Sequence, residues 1–350
     1  MVVNWAKLLR QADSKLAECT EEYDFEQFFT DFEIDILTQN KEIKLRIVTY
    51  SFILADLKDI IKVRKLAKYL NDLYNIKLIY PLGYSFAFEV PRMNGDKIYL
   101  TNILDSSKEF IARFGIGIDN EIATINLEKQ PHTLIAGATG SGKSVCLNTF
   151  ICSLLMYNSP DYLKFIFVDS KRTELSKYKD IKHCEAFIDN GRDTVAMLKS
   201  VYQLIKERNE AMEIEKKIDF DCSLGSRYVL VVDELADLIS DPKYHDIIEY
   251  YLIKISQIGR SAGVHLVLAT QHPIVKIING SIKANMTTRL CLQTTSARDS
   301  MAILGHKGGE QLLGKGDCLY KTPFCVKEKR VQIACTLPEN IDKIISVWKR

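Results

Sequence analysis

The pattern of hydrophobic and polar positions divides the chain into two regimes. From Pro131 onward, short apolar runs at residues 133–136, 165–168, 228–232, 264–269 and 289–292 alternate with segments of helical length, notably 145–156 and 194–217. Uninterrupted apolar runs separated by helical segments predict strands buried on both faces of a parallel α/β sheet. Val195, Leu198, Tyr202, Ile205 and Met212 mark one face of the second helix. Strands at 317–320 and 330–335 and a helix at 339–348 close the chain. The first 105 residues read differently. Residues 3–16 and 56–73 show helical spacing, the latter through Leu57, Ile60, Ile61, Leu66, Leu70 and Leu73. Residues 28–37, 43–49, 77–80 and 84–90 read as strands, with Gln39 and Asn40 as a turn. The expectation is a small α+β domain over residues 1–105. Residues 106–130, with a hairpin at 115–119 and 121–127, then lead into a second domain, 106–350.

Charge removes some classes of function. With 47 Lys and Arg against 45 Asp and Glu, the formal net charge is +2. No overall field draws the chain to a polyanion, and any such contact must be local. One local concentration is Lys58, Lys62, Arg64, Lys65 and Lys68 on the polar side of the 56–73 helix. It reads as a solvated face, or as a contact for a phosphate backbone or a neighbouring subunit. The nine cysteines include no Cys-x-x-Cys pair, which argues against zinc and disulfides and for a reducing, cytoplasmic setting. No apolar run reaches the roughly 18 residues of a membrane span, and residues 1–10 lack the apolar centre of a signal peptide.

Candidate chemistry begins directly after the 133–136 strand. Gly137, Ala138, Thr139, Gly140, Ser141, Gly142, Lys143 and Ser144 have the spacing of a phosphate-binding loop, and Val145 opens the following helix. Glycines let consecutive N–H groups converge at a helix N-terminus, where an anion is favoured. Lys143 reaches the β- and γ-phosphates, and Ser144 offers a hydroxyl to Mg²⁺. The 228–232 strand ends in Asp233, placed to hold Mg²⁺, and Glu234, placed to polarise the attacking water. The 264–269 strand ends in Thr270 and Gln271, whose amide is placed to sense the γ-phosphate. Phosphate loop, a strand ending at Asp169, Asp233-Glu234, then Gln271 is the order of a RecA-like P-loop ATPase core with a parallel sheet and a catalytic glutamate. Small GTPases lack that glutamate, and P-loop kinases lack the Asp-Glu ending.

The same residues carry a family resemblance. Residues 131–144, Val168-Asp-Ser-Lys-Arg-Thr-Glu-Leu175, Asp233-Glu-Leu-Ala-Asp-Leu238 and residues 259–271 resemble the motor domain of FtsK/SpoIIIE DNA translocases. So do Ile282-Lys-Ala-Asn285, residues 312–320 and 330–349, and the first unit is similar to the family's smaller ring domain. The resemblance implies a homo-hexamer that threads duplex DNA through a central channel without reading its sequence, using ATP and Mg²⁺. It implies that Arg260 is an arginine finger given to the neighbouring subunit's nucleotide, with Arg289 the runner-up. Lys283, with Lys276 nearby, matches a DNA-contacting position. His272, Ala297 and Met301 stand where the family has basic residues, and Arg298 is close enough in sequence to compensate for one. The family's segregation members carry membrane helices before the motor and a winged-helix domain after it, and neither is expected here. The reading is therefore an ATP-driven duplex DNA translocase serving a plasmid, phage or mobile element, with any recruiting partner protein unidentified. The alternatives are a conjugative coupling ATPase or single-stranded DNA helicase, an FtsK-like protein-secretion ATPase, and a scaffold switched by nucleotide.

Overall fold

The computed structural model describes residues 25–43, 47–74, 76–91, 97–104, 110–218 and 220–350. The chain divides after Lys97 into a smaller unit, Asp13–Lys97, and a larger one beginning at Ile98. The helix expected at 3–16 lies outside the described residues.

In the smaller unit, helix α1 (Phe25–Asp31) precedes strands β1 (Ile36–Ile43) and β2 (Ile47–Leu54), helix α2 (Ile60–Tyr74) and strands β3 (Lys77–Leu82) and β4 (Ser85–Pro91). The strands form an antiparallel sheet in the order β1-β2-β4-β3. The strand expected at 28–37 is corrected: its first part is the end of α1, and only Ile36 and Leu37 enter β1. Phe25, Phe28, Phe29 and Phe32 recur at helical spacing, and Phe25 and Phe29 are buried against Phe52 and Phe86. Gln39 and Asn40 are not a turn either but lie within β1, paired with Phe52 and Ser51. On the basic side of α2, Lys62 pairs with Asp59 at 2.9 Å, while Arg64, Lys65 and Lys68 are exposed.

The larger unit is built on one ten-stranded sheet. Its strands are β5 (Ile111–Gly117), β6 (Ile122–Asn126), β7 (His132–Ala136), β8 (Leu163–Val168), β9 (Cys184–Ile188), β10 (Arg227–Val232), β11 (Val264–Thr270), β12 (Thr288–Leu292), β13 (Asp317–Lys321) and β14 (Lys329–Ile333). The order is β6-β5-β14-β13-β12-β7-β11-β10-β8-β9. The run from β12 to β9 is parallel, and the rest is an antiparallel extension. The intervening helices are α3 (Lys143–Tyr157), α4 (Gly191–Ile214), α5 (Leu235–Ser240), α6 (His245–Ile258), α7 (Gly280–Asn285), α8 (Ala297–Leu304) and α9 (Pro338–Trp348). Leu134, Ile166, Leu230, Leu266 and Leu268 line one sheet face and pack with Leu198 and Ile205 of α4 and with Leu252 and Ile255 of α6. Helix α3 is buried on all sides from Cys146 to Met156, as expected of a helix with no polar face. It is pinned where its Ser153 hydroxyl accepts the Arg113 N–H of β5 at 2.7 Å and its Thr149 hydroxyl donates to the Ala334 carbonyl at 2.7 Å.

Three histidines in this unit are buried, and burial disfavours their charged form. The His132 imidazole is pushed down to about 3 and accepts the Leu266 N–H through Nδ1 at 3.1 Å. His183 falls to about 4, and burial lowers His265 as well. Below the ordinary histidine value the unfolded chain takes up protons that the folded chain excludes, so stability falls on acidification. At about pH 5 His132 and His183 each remove roughly 2 kcal/mol. Thermal melts should therefore show a loss of stability between about pH 7 and pH 5.

Candidate nucleotide site

Strand β7 is buried at every position and lies between β11 and β12 in the middle of the ten-stranded sheet. Its C-terminal end thus opens into the crevice where α/β folds hold ligands. The loop from Gly137 to Gly142 then turns into α3. Gly140 (φ 81°) and Gly142 (φ 107°) adopt left-handed conformations that side chains disfavour. The N–H groups of Gly140, Gly142, Lys143, Ser144 and Val145 have no hydrogen-bond partner among the described residues. Free donors gathered at a helix N-terminus are a phosphate cradle.

Behind the cradle is a second glycine turn, whose role no local sequence pattern indicates. Gly314 (φ 75°), Lys315 (φ 49°) and Gly316 (φ 91°) are all left-handed. The Gly316 N–H donates to the Ser141 carbonyl at 2.8 Å, and a Cβ on Gly142 would come within 2.7 Å of the Gly316 nitrogen. Beyond the family resemblance of residues 312–320, the signal in the sequence is the Gly-Lys-Gly spacing. Gly142→Ala should push the two turns apart and weaken nucleotide binding by about 5- to 150-fold, the equivalent of 1–3 kcal/mol of backbone strain, as read by nucleotide titration.

Strand register brings the other site residues to this loop. Val232 pairs with Val168 on one side and Leu268 on the other, so Asp169, Asp233 and Thr270 come to one edge. Lys143, 3% exposed, donates through Nζ to the Asp233 carbonyl at 2.7 Å and to its Oδ1 at 2.8 Å. Burial raises the affinity of the Asp233 carboxyl for its proton; Lys143 opposes this, and Asp169 and Glu174 reinforce it. Asp169 holds the loop after β8 by accepting the N–H groups of Glu174 (3.0 Å) and Leu175 (2.9 Å). Glu234 is buried at the N-cap of α5 and is held by three donors: the Thr270 hydroxyl, the Gln271 N–H (2.8 Å) and the Ala236 N–H (3.2 Å). The Gln271 side chain accepts the Thr139 hydroxyl at 2.7 Å, tying the end of β11 to the phosphate loop. The structure therefore brings together the phosphate loop, Asp233, Glu234 and Gln271. It adds Thr139 and Thr270 as the hydroxyls that orient Gln271 and Glu234.

Cradle, lysine and carboxylates fit a nucleoside triphosphate. Its β- and γ-phosphates would take the cradle N–H groups and the Lys143 ammonium, and the Ser144 hydroxyl with Asp233 would serve a Mg²⁺ ion. Lys143→Ala should abolish nucleotide binding, and calorimetric titration with a non-hydrolysable ATP analogue checks this.

Other sequence candidates fall elsewhere. Arg260 opens the turn Arg260–Ala262 before β11, at the end of that strand opposite Gln271. A seven-residue strand spans ~20 Å, so Arg260 does not reach the phosphate loop of its own chain. Nor does it cap its own helix, because its Nε donates to the Glu128 carbonyl at 3.0 Å. Arg289, the runner-up, is corrected: its guanidinium donates to the carbonyls of Met286, Ile303 and Lys283 and clamps the chain between α7, β12 and α8. Lys283 is half-buried and donates to the Met301 carbonyl at 2.6 Å. His272, Lys276, Arg298 and Met301 are exposed.

Comparison with known proteins decides the family. Residues 102–225 match the FtsK/SpoIIIE family. The chain is 36% identical over 280 residues to the DNA translocase FtsK of Caldanaerobacter subterraneus subsp. tengcongensis, covering 76% of this chain and 39% of that one. It is 35% identical over 280 residues to the DNA translocase SftA of Bacillus subtilis, covering 75% and 29% respectively. The chain belongs to the FtsK/SpoIIIE family. It spans about a third of the length of the curated relatives it matches. Among solved structures, the pCW3 conjugation coupling protein TcpA with ATPγS superposes with a TM-score of 0.66 at 21% identity, covering 93% of this chain and 97% of that one. The cytoplasmic domain of the Thermomonospora curvata type VII secretion ATPase EccC gives 0.59 at 22% identity, covering 72% and 34%. The larger unit of this FtsK/SpoIIIE member thus has a P-loop ATPase fold. Among the described residues no helix is long and apolar enough to cross a membrane.

Proposed function

We propose that the chain hydrolyses ATP and couples hydrolysis to movement along duplex DNA, as one subunit of a hexameric ring. The observation that carries this reading is the placement of Gln271. Its backbone N–H holds Glu234, its side chain meets Thr139 of the phosphate loop, and the chain then continues into residues 272–276, exposed except at the buried Pro273. A change at the γ-phosphate has a one-residue path to a surface that can touch a substrate.

In the reaction a water oxygen attacks the γ-phosphorus while the Glu234 carboxylate accepts its proton. The bond from the γ-phosphorus to the β–γ bridging oxygen breaks, giving ADP and phosphate. Lys143 and the cradle N–H groups stabilise the charge that gathers on the β-phosphate. Mg²⁺, when bound, would neutralise β- and γ-oxygen charge beside Ser144 and Asp233. Glu234 arrives oriented, because its three donors fix both oxygens.

The exposed Lys276 and Arg298 and the half-buried Lys283 are the cations that would bind DNA phosphates without reading bases. Affinity for duplex DNA should fall with salt with a slope near −0.9 per phosphate neutralised, and a flat titration would count against the contact. The decisive assay is ATP-dependent displacement of a third strand from duplex DNA, which a translocase performs and a nucleotide-switched scaffold does not. Exposed Ile274, Val275 and Met301 sit among these cations and favour a second reading, a protein cargo. ATPase stimulation by an apolar peptide and not by DNA would select it.

A further inference from the structure

The face around Arg260 carries more than the finger. Asn126 to Gln130 form a tight turn into β7. The Asn126 carboxamide oxygen accepts the N–H groups of Glu128 (2.9 Å) and Lys129 (3.3 Å). The buried Gln130 returns a bond to the Asn126 N–H at 3.1 Å and donates to Tyr320 Oη at 2.7 Å and Thr322 Oγ1 at 3.0 Å. The Glu128 carboxylate is bound at 3.0 Å by Arg227, whose guanidinium lies over the rings of Tyr162, Phe110 and Phe220. Glu128 is thus fixed, and its carbonyl holds Arg260 Nε. The terminal nitrogens of Arg260 and the ammonium of Lys129 have no acceptor among the described residues. Both residues line one depression of about 570 Å³, together with Arg227, Phe220 and the buried His265.

We propose that Lys129 is a second cation delivered with Arg260 to the triphosphate bound by the neighbouring copy of this chain. The inference rests on the proposed ring. Two unpaired cations seated by one rigid turn fit an anion carrying several negative charges, and Glu128, the carboxylate beside them, is already committed to Arg227. Both cations are at the far end of the sheet from their own cradle, so the anion they meet belongs to another copy. The turn also runs directly into β7, which ends at the phosphate loop. The grip on a neighbour's nucleotide and the seat of the chain's own nucleotide are therefore the two ends of one strand.

Lys129→Ala should lower kcat by about 10²-fold, the usual loss on removing one donor to transition-state charge. Nucleotide affinity at the chain's own cradle and the melting temperature should be unchanged. Lys129→Arg should restore most of the rate. Mixing Lys129→Ala with Lys143→Ala protein should regain activity, because some interfaces then pair an intact cradle with an intact lysine. If kcat of Lys129→Ala stays within about two-fold of wild type, or if only DNA affinity falls while kcat at saturating DNA holds, the assignment of Lys129 is overturned and the ring stands. The same holds if the Arg260→Ala and Lys143→Ala mixture regains activity and the Lys129→Ala mixture does not. If the Arg260→Ala mixture also fails in verified mixed assemblies, the ring reading and the Lys129 proposal fall together.

Discussion

Replacing Glu234 by glutamine is expected to leave ATP binding intact and to lower turnover by ~10²–10⁴-fold, the contribution of a positioned general base. The amide is nearly isosteric, so the substitution tests the proton acceptor more than the packing. It is not silent structurally. The Thr270 hydroxyl and the N–H groups of Gln271 and Ala236 all donate to this carboxylate, and an amide offers only one accepting oxygen. Some loss of order at the end of β11 should accompany the loss of rate. Thr270→Val separates the two contributions, because it removes one donor and keeps the base. Its kcat should fall by about tenfold, the equivalent of one hydrogen bond to a charged group. Equal losses in Thr270→Val and Glu234→Gln would mean that Glu234 orders the strand tip and does not act as the base.

Arg260→Ala carries the largest expected effect, ~10³–10⁵-fold in turnover if the finger acts as fingers do in GTPases. Position makes this more than analogy. The guanidinium is exposed, anchored among the described residues only through Nε to the Glu128 carbonyl, and beyond reach of its own phosphate loop. A residue so placed can assist hydrolysis only on another copy. Arg260→Ala protein should therefore bind ATP normally, fail to hydrolyse it, and regain activity when mixed with Lys143→Ala protein. Arg260→Lys should recover little, because the Nε anchor is lost with the guanidinium.

What was legible in the sequence was whatever is encoded locally. The phosphate loop, Asp233-Glu234 and Gln271 are each a strand end with its polar tip, and β7, β10 and β11 read directly as apolar runs. Contacts that depend on the sheet order did not show. Gly316 meets Gly142, and Thr270 meets Glu234, only because β13, β12, β7, β11 and β10 lie side by side. Arg289 looked available as a charge, yet it is spent on three carbonyls whose proximity no local pattern announces. Strand β9 and helix α6 had no counterpart among the expected elements. The first is a five-residue strand paired with β8 alone, and in the second the continuous apolar and aromatic run hides its period. In the smaller unit the phenylalanines of α1 are dense enough to mimic a strand, and only their spacing betrays the helix.

Whether this site works on DNA is tested most directly by one comparison: the steady-state ATPase rate without DNA, with single-stranded DNA and with duplex DNA, run beside Glu234→Gln. The prediction is strong stimulation by duplex, little by single strands, and none in the variant. Stimulation by single strands alone, or an equal rate under all three conditions, would contradict it.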